Sequence, residues 1–340
     1  MRRHASLIIG GQYLDSFIYS GTLFLLDLNG VLSSFDWGSL VGDVLLKHRR
    51  MDLVNVFTDS RLDSRALSDD GNLDLEVDDE ILSKNLTGRI DRSVWPTDIN
   101  VYANRVYISD ESGVYSLEFD YKSKSINSES VTKLKGGYVY SISPGGWGRL
   151  AIAGVDRGLS LILPGNKGGK EETLAESEVY DCDWTGNTLV ANGVIESVVS
   201  NFSALPKRED FQDELTYREV ASAMAKIMPE TVKLDPDPDG GYLLLTPEGE
   251  LVDSRASGIS ESRVSVIKAR SAPYGFVVEH EDCVLVKFGS CSERVAETAP
   301  VFWRTFGRST NYLNHLHICD ENGLQLRAYS ISSTTMKASP

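Results

Sequence analysis

His315, His317 and Cys319 alternate along one short run, and alternation puts three side chains on one face of a strand. Two imidazoles and a thiolate are donors that zinc accepts. The run holds no fourth donor. His280 or Cys283 would have to approach; otherwise the three read as packed side chains. A second set is Asp235, Asp237 and Asp239, within Asp235-Pro236-Asp237-Pro238-Asp239-Gly240. Oxygen donors at alternate positions, with glycine sixth, open a calcium loop. The pattern then breaks. Thr246 stands twelfth, where a bidentate glutamate belongs, and two prolines stiffen the segment. A proline-rich connecting turn accounts for it. No cofactor is expected; calcium or zinc is the ion these two sets would take.

Glu279-His280-Glu281-Asp282 gathers three carboxylates and an imidazole. Such a group does acid–base work only where its surroundings split the pKa values, and a solvated turn does not. Gly165-Asn166-Lys167-Gly168-Gly169-Lys170-Glu171 resembles a phosphate loop but is one residue short between its outer glycines. Glu171 stands where Ser or Thr would hold magnesium, and its carboxylate would repel phosphate. There is no G-x-S-x-G and no G-x-G-x-x-G.

The elements that must position these residues carry a repeat. Ile108-Ser109-Asp110-Glu111-Ser112-Gly113-Val114 recurs as Ile318-Cys319-Asp320-Glu321-Asn322-Gly323-Leu324, each between β-rich runs. From Gly113 to Gly323 is 210 residues, five steps of 42. Further turns at Gly30, Gly158, Gly193, Gly249 and Glu281-Asp282 extend the ruler, with a weaker one at Gly71. Their flanks are rich in β-branched and aromatic residues. Strand–turn–strand units at this period resemble the β-propeller superfamily over nearly the whole chain. Gly-His and Trp-Asp marks in register, which a WD repeat would show, are absent. The expected fold is all-β, a propeller of about seven four-stranded blades, six to eight fitting the spacing, with one inserted amphipathic helix. It is expected to occupy 1–333 as a single domain, with a polar acidic segment at 59–93, a helical insertion at 207–229 and a flexible tail at 334–340.

Asn72 to Val77 alternates as a strand with one wet face. Asp210 to Ile227 reads instead as a helix, capped by Asp210 and ended by Pro229, with Phe211, Leu215, Val220, Met224 and Ile227 at helical spacing. Ser39 to Arg49 is amphipathic and fits either a helix or an outer strand.

The chain has 340 residues, a net charge of −15 and 41% hydrophobic residues, enough for a core. The acidic balance argues against non-specific binding to nucleic acid or an anionic membrane. Lys47-His48-Arg49-Arg50 is the best local basic patch, and a solvated element end is its plainer reading. No apolar stretch spans a bilayer. The start of the chain reads as a strand rather than a signal peptide. Four irregularly spaced cysteines suggest a reducing, cytoplasmic setting.

The expectation is a non-catalytic protein-interaction module or scaffold subunit. It docks through the inserted helix, with Phe211, Leu215 and Met224 as contacts, and its acidic loops favour a protein partner with a basic surface. The alternative is a metal-dependent hydrolase or lyase with its site in the central funnel, its ligands spread at blade spacing.

Overall fold

The computed structural model describes residues 3–62, 67, 72–91, 95–154, 158–163, 170–235, 241–246, 249–254, 259 and 265–331. They form a β-propeller whose blades are four-stranded antiparallel sheets. Two compact units divide the chain: Met1–Trp95, Glu118–Glu129 and Asp239–Pro340 make one, and Pro96–Leu117 and Ser130–Pro238 the other.

Blades are named here by their first strand. The Tyr13 blade is Tyr13–Tyr19, Thr22–Asp27, Val31–Asp36 and Leu86–Asp91. The Pro96 blade is Pro96–Tyr102, Arg105–Asp110, Gly113–Asp120 and Ser125–Gly136. The Val139 blade is Val139–Pro144, Leu150–Gly154, Gly158–Leu163 and Lys170–Ala175. The Val179 blade is Val179–Thr185, Thr188–Gly193, Ser197–Asn201 and Glu230–Leu234. The Lys268 blade is Lys268–Ala272, Gly275–Glu279, Val284–Phe288 and Cys291–Ala296.

The Phe302 blade takes three strands from the end of the chain, Phe302–Thr305, His315–Asp320 and Gly323–Tyr329, and its fourth, His4–Ile9, from the beginning. His4 pairs with Tyr329 and Ile9 with Leu324, so both ends of the chain are hydrogen-bonded into one sheet. Leu73–Val77 adds a fifth strand, parallel to His4–Ile9. Its Leu75 and Val77 are buried while Asp74 and Glu76 are exposed, as the alternation predicts. Between the Val179 and Lys268 blades in sequence lies a two-stranded sheet, Leu243–Leu245 with Leu251–Asp253. The described residues thus hold six complete blades and this pair.

Middle strands are buried on both faces and read as continuous apolar runs. Every residue of Leu150–Gly154 and of Gly158–Leu163 is buried. The predicted turns at Gly30, Gly113, Gly158, Gly193, Glu281-Asp282 and Gly323 all join second and third strands. In the repeated hairpin the aspartate makes the turn: Asp110 Oδ1 accepts from the backbone of Ser112 at 2.7 Å and of Gly113 at 3.0 Å. Asp320 Oδ1 likewise accepts from the Asn322 backbone at 2.8 Å.

Gly249 departs from this register. The Ser271 hydroxyl, on a first strand, donates to the Leu245 carbonyl at 2.5 Å. The Trp184 indole joins two first strands in the same way, donating to the Ser143 carbonyl at 2.9 Å. Leu243–Leu245 therefore holds a first strand's place, and Gly249 turns into a second strand. The weaker turn at Gly71 and the tail at 334–340 lie outside the described residues.

Ser39 to Arg49 resolves as a helix, α1 (Trp37–Lys47), inside the Tyr13 blade. Asp36 caps it, accepting from the Ser39 backbone at 3.1 Å. Trp37, Leu40, Val41, Val44 and Leu45 are all buried, and the Trp37 indole donates to the Phe57 carbonyl at 3.0 Å. Each of those aliphatic side chains contributes about 1.5–3 kcal/mol by leaving water. Helices α2 (Val54–Thr58) and α3 (Asp79–Lys84) follow within the same insertion.

Candidate functional site

The insertion of the Val179 blade, between Ser197–Asn201 and Glu230–Leu234, holds helix α4 (Glu214–Met224). Its cap is Asp213, which accepts from the Thr216 backbone at 2.8 Å, and not Asp210. Asp210 ends a preceding single turn, Arg208–Asp210, and its side chain is spent closing that turn on the Lys207 backbone at 3.3 Å. The expected stripe is also only partly used at home. Ala221 is the one buried residue of α4.

Three anchors hold α4. The first is Arg149, 1% exposed. Its Nε donates to the Ala225 carbonyl at 3.0 Å and its Nη2 to the Met224 carbonyl at 3.3 Å. A guanidinium there satisfies orphan carbonyls at the negative end of the helix dipole. The Phe202 ring lies 4.5 Å beneath the cation. Burial lowers the Arg149 pKa. The second anchor is aromatic. Tyr217 meets Trp147 at 5.4 Å and Phe211 at 5.7 Å between ring centroids. Trp147 has a left-handed backbone, φ 60°, unusual for a bulky residue. The third is ionic: Glu214 accepts from Arg208, in the turn before the helix, and also from Arg218 within α4 itself, both at 2.6 Å. These exposed pairs contribute little, because solvent screens them.

The three contacts expected from sequence therefore separate. Phe211 is half-buried against Tyr217. Met224 is half-buried and its carbonyl engages Arg149. Leu215 is 68% exposed. Ile227 and Met228 just past the helix are also exposed, as are Val194 and Ile195 in the turn of the same blade. Arg149 and Trp147 were not legible as site residues: each is a lone residue in a strand-rich stretch, and their partner lies far along the chain. The Gly-Gly-Trp-Gly run at 145–148 was the one local sign.

His315, His317 and Cys319 do share a strand and are all buried. Each is engaged separately. His315 Nε2 meets the Phe57 carbonyl at 3.0 Å, His317 Nδ1 the Ser16 hydroxyl at 2.6 Å, and the Cys319 thiol the Tyr13 carbonyl at 3.4 Å. Among the described residues no three His, Cys, Asp or Glu side chains converge to hold a metal ion. His280 is turned instead to the Ser265 carbonyl, 3.1 Å from Nδ1. It is buried, so the Glu279–Asp282 turn is not wholly solvated. Glu279 accepts from the Trp303 indole at 2.6 Å. Asp235 is exposed; Asp237 and Asp239 lie outside the described residues, as do Gly165 to Gly169. Lys47 pairs with Asp78 at 2.6 Å and Arg50 with Asp52 at 2.9 Å, at the end of α1.

Burial makes the histidines acid-sensitive. Burial brings the His315 pKa from its ordinary 6.5 to about 4, and that of His4 likewise. Burial, then His315 and Arg304, hold His317 well below the usual value. The unfolded chain therefore binds more protons below pH 6.5, down to about pH 4. Stability is full above that window and falls as pH drops through it, by up to about 1.4 kcal/mol per pH unit for each histidine. Urea midpoints measured between pH 7 and pH 4.5 should fall steadily. His315→Gln keeps a donor for the Phe57 carbonyl and should make the fall shallower. An unchanged slope would mean that His315 does not titrate this way.

No protein-family model matches the chain. No curated protein matches it in sequence. Solved structures do match in shape. A chain of the mitotic checkpoint complex aligns over 98% of this chain and 87% of its own, at 8% identity and a TM-score of 0.52. The Dos1 propeller aligns over 94% and 78%, at 11% identity and a TM-score of 0.49. The Pan2 WD40 domain of Neurospora crassa aligns over 95% and 90%, at 10% identity and 0.49. Identities this low bear on the fold alone. Among the described residues no helix is long and apolar enough to cross a membrane. Blade topology, the strands from both ends of the chain joined in one sheet and the likeness in shape to the checkpoint-complex chain agree: the chain is a β-propeller, a divergent one without WD-repeat signatures.

Proposed function

We propose that this propeller is a non-catalytic protein-interaction module that docks through α4. The observation that carries the reading is the contrast between the two ends of the helix. Its C-terminal end is clamped by a buried arginine, while Leu215 near its start is 68% exposed. A fixed helix with an uncovered leucine is preorganised for docking, so little ordering entropy opposes association.

The partner this surface fits is a protein with an apolar patch rimmed by basic residues. Leu215 stands near Asp213 and Glu219, while Glu214 is spent on Arg208 and Arg218, and the chain carries a net charge of −15. Opposite charge on the partner steers encounter, and apolar contact at the centre supplies affinity. The chain is read as a scaffold subunit in a cytoplasmic complex.

Affinity purification with the wild-type chain supplies the partner, and calorimetry with that purified partner supplies the test. Leu215→Asp should weaken binding at least tenfold while leaving the unfolding midpoint unchanged, because Leu215 touches solvent in the free chain. Glu219→Lys should slow association and reduce its salt dependence. Equal affinity for Leu215→Asp and wild type would remove α4 from the interface.

A further inference from the structure

A cavity of about 510 Å3 opens beside the turn between the second and third strands of the Tyr13 blade. That volume lies in the range of small-molecule sites. Its apolar wall is Leu25, Phe35 and Tyr13. Leu25 and Phe35 belong to the buried core, and the Tyr13 hydroxyl donates to the Gly10 carbonyl at 3.1 Å, so the wall is preformed.

Two opposite charges line the same cavity. Asp27 is held by its turn, with Oδ1 accepting from the Asn29 backbone at 2.8 Å and the Val31 backbone at 3.0 Å. Arg89 stands two strands away, opposite Ser33, which is itself opposite Leu25. Arg89 is exposed and forms no ion pair, with Asp27 or with any other described residue. Burial, then Cys319, Asp79 and Asp27, push the Tyr13 phenol up to about 12.

A ligand with one sign of charge fits poorly. An anion drawn to Arg89 would face Asp27, and a cation drawn to Asp27 would face the guanidinium. The geometry points to a site for a small zwitterion with an apolar body, a free amino acid or a short peptide. Its ammonium would meet Asp27, its carboxylate Arg89 and its side chain the Leu25–Phe35–Tyr13 wall. This site is independent of α4, and its failure would leave the docking proposal untouched.

Saturation-transfer NMR on the full chain, with leucine and leucyl-leucine as probes, tests it. At least one should bind in the millimolar range, and the tighter of the two identifies the ligand as amino acid or peptide. Acetylating the amine or amidating the carboxyl should each weaken binding at least tenfold. Arg89→Ala should make the free and amidated forms bind alike. Asp27→Asn, which keeps an oxygen for the turn, should make the free and acetylated forms bind alike. No transfer from either probe, or blocked forms binding the wild type as well as free ones, would overturn the assignment.

Discussion

Replacing residues 207–229 with a Gly/Ser linker is expected to destabilise the protein by about 3 kcal/mol, far more than removal of a surface helix suggests. The reason is Arg149. Its guanidinium is almost fully buried, and the partners on which its hydrogen bonds fall are the Ala225 and Met224 carbonyls. Deleting the helix removes both acceptors and leaves a cation over the Phe202 ring with its hydrogen bonds unmade. Urea unfolding measures the loss. Arg149→Met in the linker background should recover most of it, since an apolar chain of similar length no longer needs acceptors. The same substitution in the intact chain should destabilise, and the two effects should be strongly non-additive. A linker variant as stable as the wild type would overturn the clamp. The comparison also bears on docking experiments: loss of binding on deleting 207–229 would mix lost contacts with a weakened blade, whereas Leu215→Asp does not.

Gly323→Ala should cost about 3 kcal/mol, from one added methyl group. Gly323 has φ 134°, a conformation L side chains rarely adopt. A Cβ there would sit 2.6 Å from the Ile9 carbonyl, on the strand that joins the two ends of the chain. Relief requires that strand to move, so the substitution strains both the turn and the pairing of His4–Ile9 with Gly323–Tyr329. Gly113 repeats the arrangement, with φ 144° and its Cβ position pressed against the Lys135 carbonyl. Gly249→Ala is the control. Its φ is 86° but no described residue lies within 4 Å of the added carbon, so only backbone strain of about 1 kcal/mol is expected. If all three substitutions destabilise equally, contact with the neighbouring strand is not the cause.

The propeller was legible because its turns obey local chemistry. An aspartate that accepts from the backbone two residues on, followed by a glycine at positive φ, is written in the hairpin at Asp110–Gly113 and again at Asp320–Gly323. Gly249 misled the register because a tight turn looks alike whether it joins first and second strands or second and third. Asp210 misled the helix start because Asp210 and Asp213 both precede an apolar run, and only the backbone path decides which one caps. The two amphipathic runs show the same limit. Ser39 to Arg49 and the 210–227 segment have similar stripes, yet α1 is packed away and α4 is largely exposed.

From its sequence alone this chain determined what depends on near neighbours: strand alternation, turn chemistry, the period close to 42 and the presence of an inserted helix. The tertiary structure decided what depends on residues far apart. It paired Arg149 with carbonyls 75 and 76 residues away, left Leu215 uncovered, separated His315, His317 and Cys319 among different hydrogen-bond partners, and brought Asp27 and Arg89 to one cavity. The physical reason is that burial and long-range hydrogen bonding are properties of the packed sheets. A side chain's type limits what it can do, but its neighbours decide whether it is spent on the fold or left for a partner.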